Sequence, residues 1–125
     1  MRTTERRRTE LLTIEYDLDA PHPVAVRSWW APVRLVHLHR AEIVWQRVDG
    51  GAWEWSAQLI GVRARRDGTP SSRAAYAGYS IHRLDGMPDW LAELVDRNAP
   101  AGAGVAAVAA LAASIPSDPT REESR

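Results

Sequence analysis

The chain has 125 residues, enough for one hydrophobic core and too few for two. It carries 16 basic and 16 acidic residues, so no net field steers it toward DNA or an anionic membrane. It has no cysteine, which excludes disulfides, thiolate catalysis and cysteine-ligated zinc or iron–sulfur centres and leaves His and carboxylates as metal ligands.

Every basic residue is arginine, and neither lysine nor phenylalanine occurs. That is the composition of a GC-rich genome. Arginine's fork suits phosphate better than lysine's point charge, but in such a chain its use says nothing about the ligand.

Residues 1–10, MRTTERRRTE, read as a flexible basic tail without an apolar period, and no apolar stretch follows that would make a secretory signal. The domain is expected over residues 11–100. In LLTIEYDL, Leu12, Ile14, Tyr16 and Leu18 alternate with Thr13, Glu15 and Asp17, the period of a strand with one buried face. The prolines of APHP stop it, and a second strand is expected from Val24 to Trp30, ended by Pro32.

Residues 41–61, AEIVWQRVDGGAWEWSAQLIG, read as a hairpin around Asp49, Gly50 and Gly51. A three-residue loop pairs Val48 with Ala52 and sets Trp45 opposite Trp55, Arg47 opposite Trp53 and Ile43 opposite Ala57 on one face. A two-residue loop scatters the apolar residues over both faces, so the first register is expected. Past Gly61 the alternation changes phase, which predicts a bulge. RDGTPSS is a turn, and RAAYAGYSI a returning strand with Ala75, Ala77, Tyr79 and Ile81 on one side.

MPDWLAELVDRNAP predicts a short helix with Pro88 at its first position, Asp89 and Glu93 early, Arg97 late, and an apolar stripe of Trp90, Leu91, Leu94 and Val95. The Ala-rich segment within residues 101–125 allows a second helix with Val105, Val108, Ala112 and Ile115 on one side, before a polar tail. Its uncharged run is mostly Ala and Gly and is too short for a membrane span, which needs roughly 20 strongly apolar residues. The expected fold is α+β: an antiparallel sheet of four to five strands with the helix packed on it. A cytoplasmic location is the expectation.

This order of features, with the tryptophan strands, VRARRDGTP, Tyr76 and PDWLAELVDRNAP, resembles a set of small proteins of high-GC actinobacteria and their phages and mobile elements. The likeness covers residues 41–100. It implies an origin and carries no activity, cofactor or site.

VHLHRAE, residues 36–42, is the most chemical stretch in the chain. In a regular strand His37 and His39 share a face and suit one metal, while Glu42 faces the other way unless a bulge intervenes. The layout resembles the first cupin motif but misses its spacing: Ile43 stands where the glutamate belongs and Gly50 comes one residue late. His82 also fits no later cupin spacing. A half-exposed strand is therefore expected, with His37 and His39 as the candidates for a metal, and no cofactor. GYSIH matches a serine elbow only in part, since His82 replaces the second glycine. Lacking a phosphate loop, dinucleotide glycines or a helical zinc motif, the chain is not expected to be an enzyme.

Trp45, Trp55 and Trp90 are expected to form the core where helix meets sheet. Adjacent Trp29 and Trp30 face opposite ways in a strand, so one of them is a candidate for an exposed interface aromatic. Arg63, Arg65, Arg66 and Arg73 flank the RDGTPSS turn. They fit a charged strand edge within a contact surface, and alternatively a hairpin tracking phosphates, with Arg6 to Arg8 as a basic arm. The expected function is protein–protein contact at Trp29, Trp30 and these four arginines, with nucleic-acid binding as the alternative and a cupin-like metal site as a second alternative.

Overall fold

One strand, β3 (Ala31–Val48), organises the molecule, because every other strand except the last is paired to it. The computed structural model describes residues 8–19, 22–28, 31–103 and 107–114. Around β3 stand β1 (Thr9–Asp17), β2 (Val24–Ser28), β4 (Glu54–Ala64) and β5 (Pro70–Ser80), followed by α1 (Asp89–Arg97) and α2 (Ala107–Ser114). The sheet is antiparallel in the order β1-β3-β4-β5, with β2 also on β3. This is the expected α+β fold, with five strands and both helices formed. No helix among the described residues is long and apolar enough to cross a membrane.

β1 and β2 lie end to end along one edge of β3. β1 pairs with residues 40–48 and β2 with residues 31–36, while β4 takes the opposite edge from Val36 to Gln46. β1 starts at Thr9, so two residues expected in the tail belong to the sheet. Pro32 does not end a strand, contrary to expectation; it lies inside β3. The β2–β3 register shifts between Val26 and Ser28 at that point, and such an irregularity tolerates the missing proline N–H.

The central hairpin has the expected register: Trp45 opposes Trp55 and Ile43 opposes Ala57. Asp49 and Gly50 take positive φ of 52° and 69°, and the amide of Gly51 closes the loop on the carbonyl of Val48 at 2.9 Å. The guanidinium of Arg47 lies 4.7 Å from the centre of the Trp53 ring, and its Nε donates to the carboxylate of Glu10. That hydrogen bond holds the Glu10 carboxyl below the usual carboxylate range.

A second irregularity falls in β3 between Leu38 and Arg40. The buried series runs Val36, Leu38, then Ala41, Ile43, Trp45, so one extra residue reverses the parity of inward-facing positions. Gly61 pairs with Leu38 beside this bulge, where a Cβ on it would stand 2.1 Å from the carbonyl oxygen of His37. The phase change read at Gly61 therefore marks a close backbone approach, and the β4–β5 register shifts just beyond it, between Val62 and Ala64.

The inner face of the sheet contributes Trp45, Trp55, Ala57, Leu59, Ala75, Ala77 and Tyr79 to the core, and α1 covers it with Leu91, Ala92 and Val95. Each buried indole removes roughly 150–250 Å² from water, worth at most about 4–6 kcal/mol. Trp45 and Trp55 meet that expectation; Trp90 does not, standing 39% exposed. A helix of nine residues buries one Leu91–Val95 line, and Trp90 falls beside Glu93 and Arg97 on the arc away from it. Pro88 is the residue before the helix, with extended φ and ψ, rather than its first residue.

α2 packs on α1 through Ala107 and Leu111, whereas Val108 and Ala112, expected together on one side, are both exposed. Val105 and Ile115 lie outside the described residues. The reason is a cap supplied by α1: the Asp96 carboxylate accepts the amides of Ala107 at 2.6 Å and Val108 at 2.8 Å. That contact fixes the rotation of α2 and satisfies two amides at its start.

Candidate functional site

The four arginines expected to meet a partner gather at one end of the sheet. Val36 pairs with Arg63, so β3 from Leu35 back to Ala31 runs alongside the β4–β5 turn. In that turn the amide of Arg65 donates to the carbonyl of Thr69 at 2.7 Å and that of Gly68 to Arg65 at 2.9 Å, with Gly68 at a φ of 88° that favours glycine. The Asp67 carboxylate accepts the Thr69 hydroxyl at 2.6 Å and its amide at 3.0 Å. These bonds hold the Asp67 carboxyl below its ordinary range. Asp67 is thus engaged in building the turn.

Arg63, Arg65, Arg66 and Arg73 are all exposed. Among the described residues none of the four has a carboxylate at ion-pair distance. Ser71 links two of them: its hydroxyl donates to the carbonyl of Arg63 at 2.7 Å and accepts the amide of Arg73 at 3.2 Å. It sits where the β4–β5 register shifts, so the irregularity is pinned and the two arginines stand on neighbouring strands. A chain with zero net charge therefore carries a locally basic end.

Beside this turn Val33 is 60% exposed and Leu35 54%. Trp29 and Trp30 lie outside the described residues; the chain on either side of them pairs at Ser28 and Ala31.

The two histidines of VHLHRAE do lie in a strand, but in different settings. Nε2 of half-buried His37 is 2.7 Å from the carbonyl oxygen of Gly68, which only accepts, so this nitrogen carries the hydrogen and ties β3 to the basic turn. His39 is the exposed extra residue of the bulge, and its carbonyl accepts the amide of Leu18 at 2.7 Å. The same bulge brings Glu42 to the face of His37, since their partners Gln58 and Val62 are four apart on β4. Even so, among the described residues no three His, Asp or Glu side chains are close enough to share a metal ion. His82 is exposed beyond β5, and its amide donates to Ser80 Oγ at 3.2 Å, which engages the serine of GYSIH in a local turn.

A cleft of about 410 Å³, which sequence reasoning missed, opens between the start of α1, β2 and the sheet. Val24, Val26, Leu38, Leu59 and Trp90 line it, with Asp19 as the one charged residue among the described lining. A signal for it exists in the helix periodicity: Trp90 shares an arc with Glu93 and Arg97. Such a lining offers apolar contact and no converging acid–base pair. A shallower hollow of about 320 Å³ on the outer sheet face is lined by Glu42, Ser56, Gln58, Ser80 and Arg83, among others.

Comparison of the chain with protein-family models, curated proteins and solved structures gives no match.

Proposed function

We propose that this chain is a small non-enzymatic contact domain that docks an acidic protein surface against the basic end of its sheet. The observation that carries the reading is a set of four exposed arginines about one turn with no carboxylate at ion-pair distance among the described residues, next to the strand that carries exposed Val33 and Leu35. Arginine is enriched at protein interfaces. A pre-built turn, tied down by Asp67, Ser71 and His37, lowers the ordering cost on binding. The cytoplasm, and an accessory role of the kind met in actinobacterial phages and mobile elements, belong to the same proposal and rest on the resemblance over residues 41–100.

Nucleic-acid binding is the second reading, favoured by the same four guanidinium groups on one hairpin. Affinity capture from native lysate, with and without nuclease, separates the two. Contact with protein predicts a partner retained after nuclease and lost when Arg63, Arg65 and Arg66 are changed to glutamate. Recovery of no protein partner sinks the first reading. Capture abolished by nuclease, with a salt-sensitive gel shift that Arg63→Ala, Arg65→Ala and Arg66→Ala remove, puts the second in its place.

A further inference from the structure

We infer that β1 is a self-association strand, through which two copies of this chain join their sheets edge to edge about a two-fold axis at Thr13. β1 ends the strand order, and among the described elements it packs extensively only on β3. Its nine residues, TELLTIEYD, contain no proline and no basic residue, and pair with β3 from Thr9 to Asp17 without a bulge. Natural edge strands are guarded by prolines, lysines and bulges, none of which β1 has, its charges being Glu10, Glu15 and Asp17. This one instead presents Leu11, 63% exposed, and Leu12, 39% exposed.

The hydrogen-bond phase identifies the groups left over. The amide of Asp49 donates to the carbonyl of Arg8 and the amide of Leu18 to the carbonyl of His39, at the two ends of an unbroken register. Even-numbered residues of β1 therefore bond to β3, and the N–H and C=O of Thr9, Leu11, Thr13, Glu15 and Asp17 point to the free edge.

A two-fold axis normal to the sheet pairs residues whose numbers sum to an even value. Centred on Thr13, it sets Thr13 against its own copy, Leu11 against Glu15 and Thr9 against Asp17, all from the outward-bonding set. It also sets Leu12 against Ile14 on the inner face, extending the apolar row beside Trp45, which pairs with Leu12. No two like charges oppose each other. Centring on Glu15 places that carboxylate against itself, centring on Leu11 overlaps only residues 9–13, and centring on Leu12 or Ile14 overlaps residues 9–15 or 11–17, short of the full strand. The strand is thus self-complementary in hydrogen bonding, charge and apolar contact over its whole length at the Thr13 register, which is why a second copy is the occupant.

Sedimentation of the full chain across a dilution series tests this. The wild type is expected at twice the chain mass when concentrated. Thr13→Pro removes an N–H that faces away from β3, so it should remain folded by circular dichroism and sediment at the single-chain mass at every concentration; Leu11→Glu, at an exposed site and set against Glu15 of the copy, should do the same through like-charge repulsion. Amide exchange gives a second readout. The amides of Leu11, Thr13 and Glu15 should exchange roughly tenfold or more faster on dilution, while those of Leu12 and Ile14 stay protected. A wild type of single-chain mass at high concentration, a dimer that survives both substitutions, or an absence of odd–even alternation each overturns the inference.

Discussion

The indole Nε1–H of Trp45 donates to the main-chain carbonyl of Val95 at 3.0 Å, joining the C-terminal part of β3 to the last turn of α1. Trp55, directly across the hairpin, is as deeply buried, yet its Nε1 has no acceptor among the described residues. The two rings bury similar apolar area and differ in this one bond. Trp45→Phe is therefore expected to destabilise the chain by about 1 kcal/mol more than Trp55→Phe, the net worth of one buried hydrogen bond, since the Val95 carbonyl keeps the Asn98 amide at 3.3 Å. Urea denaturation of both variants measures the difference; equal losses would mean that the bond contributes nothing.

Gly61 meets backbone where a side chain would stand. A Cβ there comes within 2.1 Å of the His37 carbonyl oxygen and 2.9 Å of the Val36 side chain. Strands β3 and β4 would have to part at the bulge. Gly61→Ala is expected to cost about 3 kcal/mol or more, as overpacking with backbone displacement does, whereas Gly50→Ala in the open hairpin loop costs about 1 kcal/mol for its positive φ. A thermal melt in which the two variants behave alike contradicts this account.

Tyr79 ties the two ends of the sheet together, its hydroxyl donating to the carbonyl of Arg27 in β2 at 2.5 Å. Burial pushes its phenol up to about 12. The unfolded chain releases this proton near 10, so below that pH the contribution to stability is complete. Between pH 10 and 12 the unfolded state ionises first, and stability falls by about 2–3 kcal/mol before levelling. The chain has no lysine, which leaves the window to tyrosine. Tyr79→Phe is expected to flatten the decline in denaturant midpoint across that range. A variant as alkali-sensitive as the wild type would assign the decline elsewhere.

Much of the sheet was legible because its cues are local. Asp49, Gly50 and Gly51 fix a three-residue loop, and the loop fixes the pairing of Trp45 with Trp55 through the face each side chain must take. The Arg-bordered turn was legible for the same reason. Asp67, Gly68 and Thr69 carry the chemistry of a tight turn in their own side chains and backbone, as their hydrogen bonds bear out.

The contents of the site were less legible. His37 and His39 look alike in the sequence, but one binds the turn through Gly68 and the other is the extra residue of a bulge. No periodicity within VHLHRAE announces that bulge, since its cause lies across the sheet, where Gly61 permits close approach. Hydrophobicity alone directs Trp90 inward, and the short helix buries Leu91 and Val95 instead.

By itself, then, the amino-acid order determined the strands of the central hairpin and their register, the two helical segments and the gathering of arginines at one turn, because backbone alternation and turn conformation depend on neighbours in the chain. Tertiary structure alone decided that β1 and β2 share one edge of β3, that the inward parity reverses at His39, and that Asp96 sets the rotation of α2. Those outcomes depend on contacts between residues far apart in sequence, where packing and hydrogen-bond satisfaction outweigh local preference.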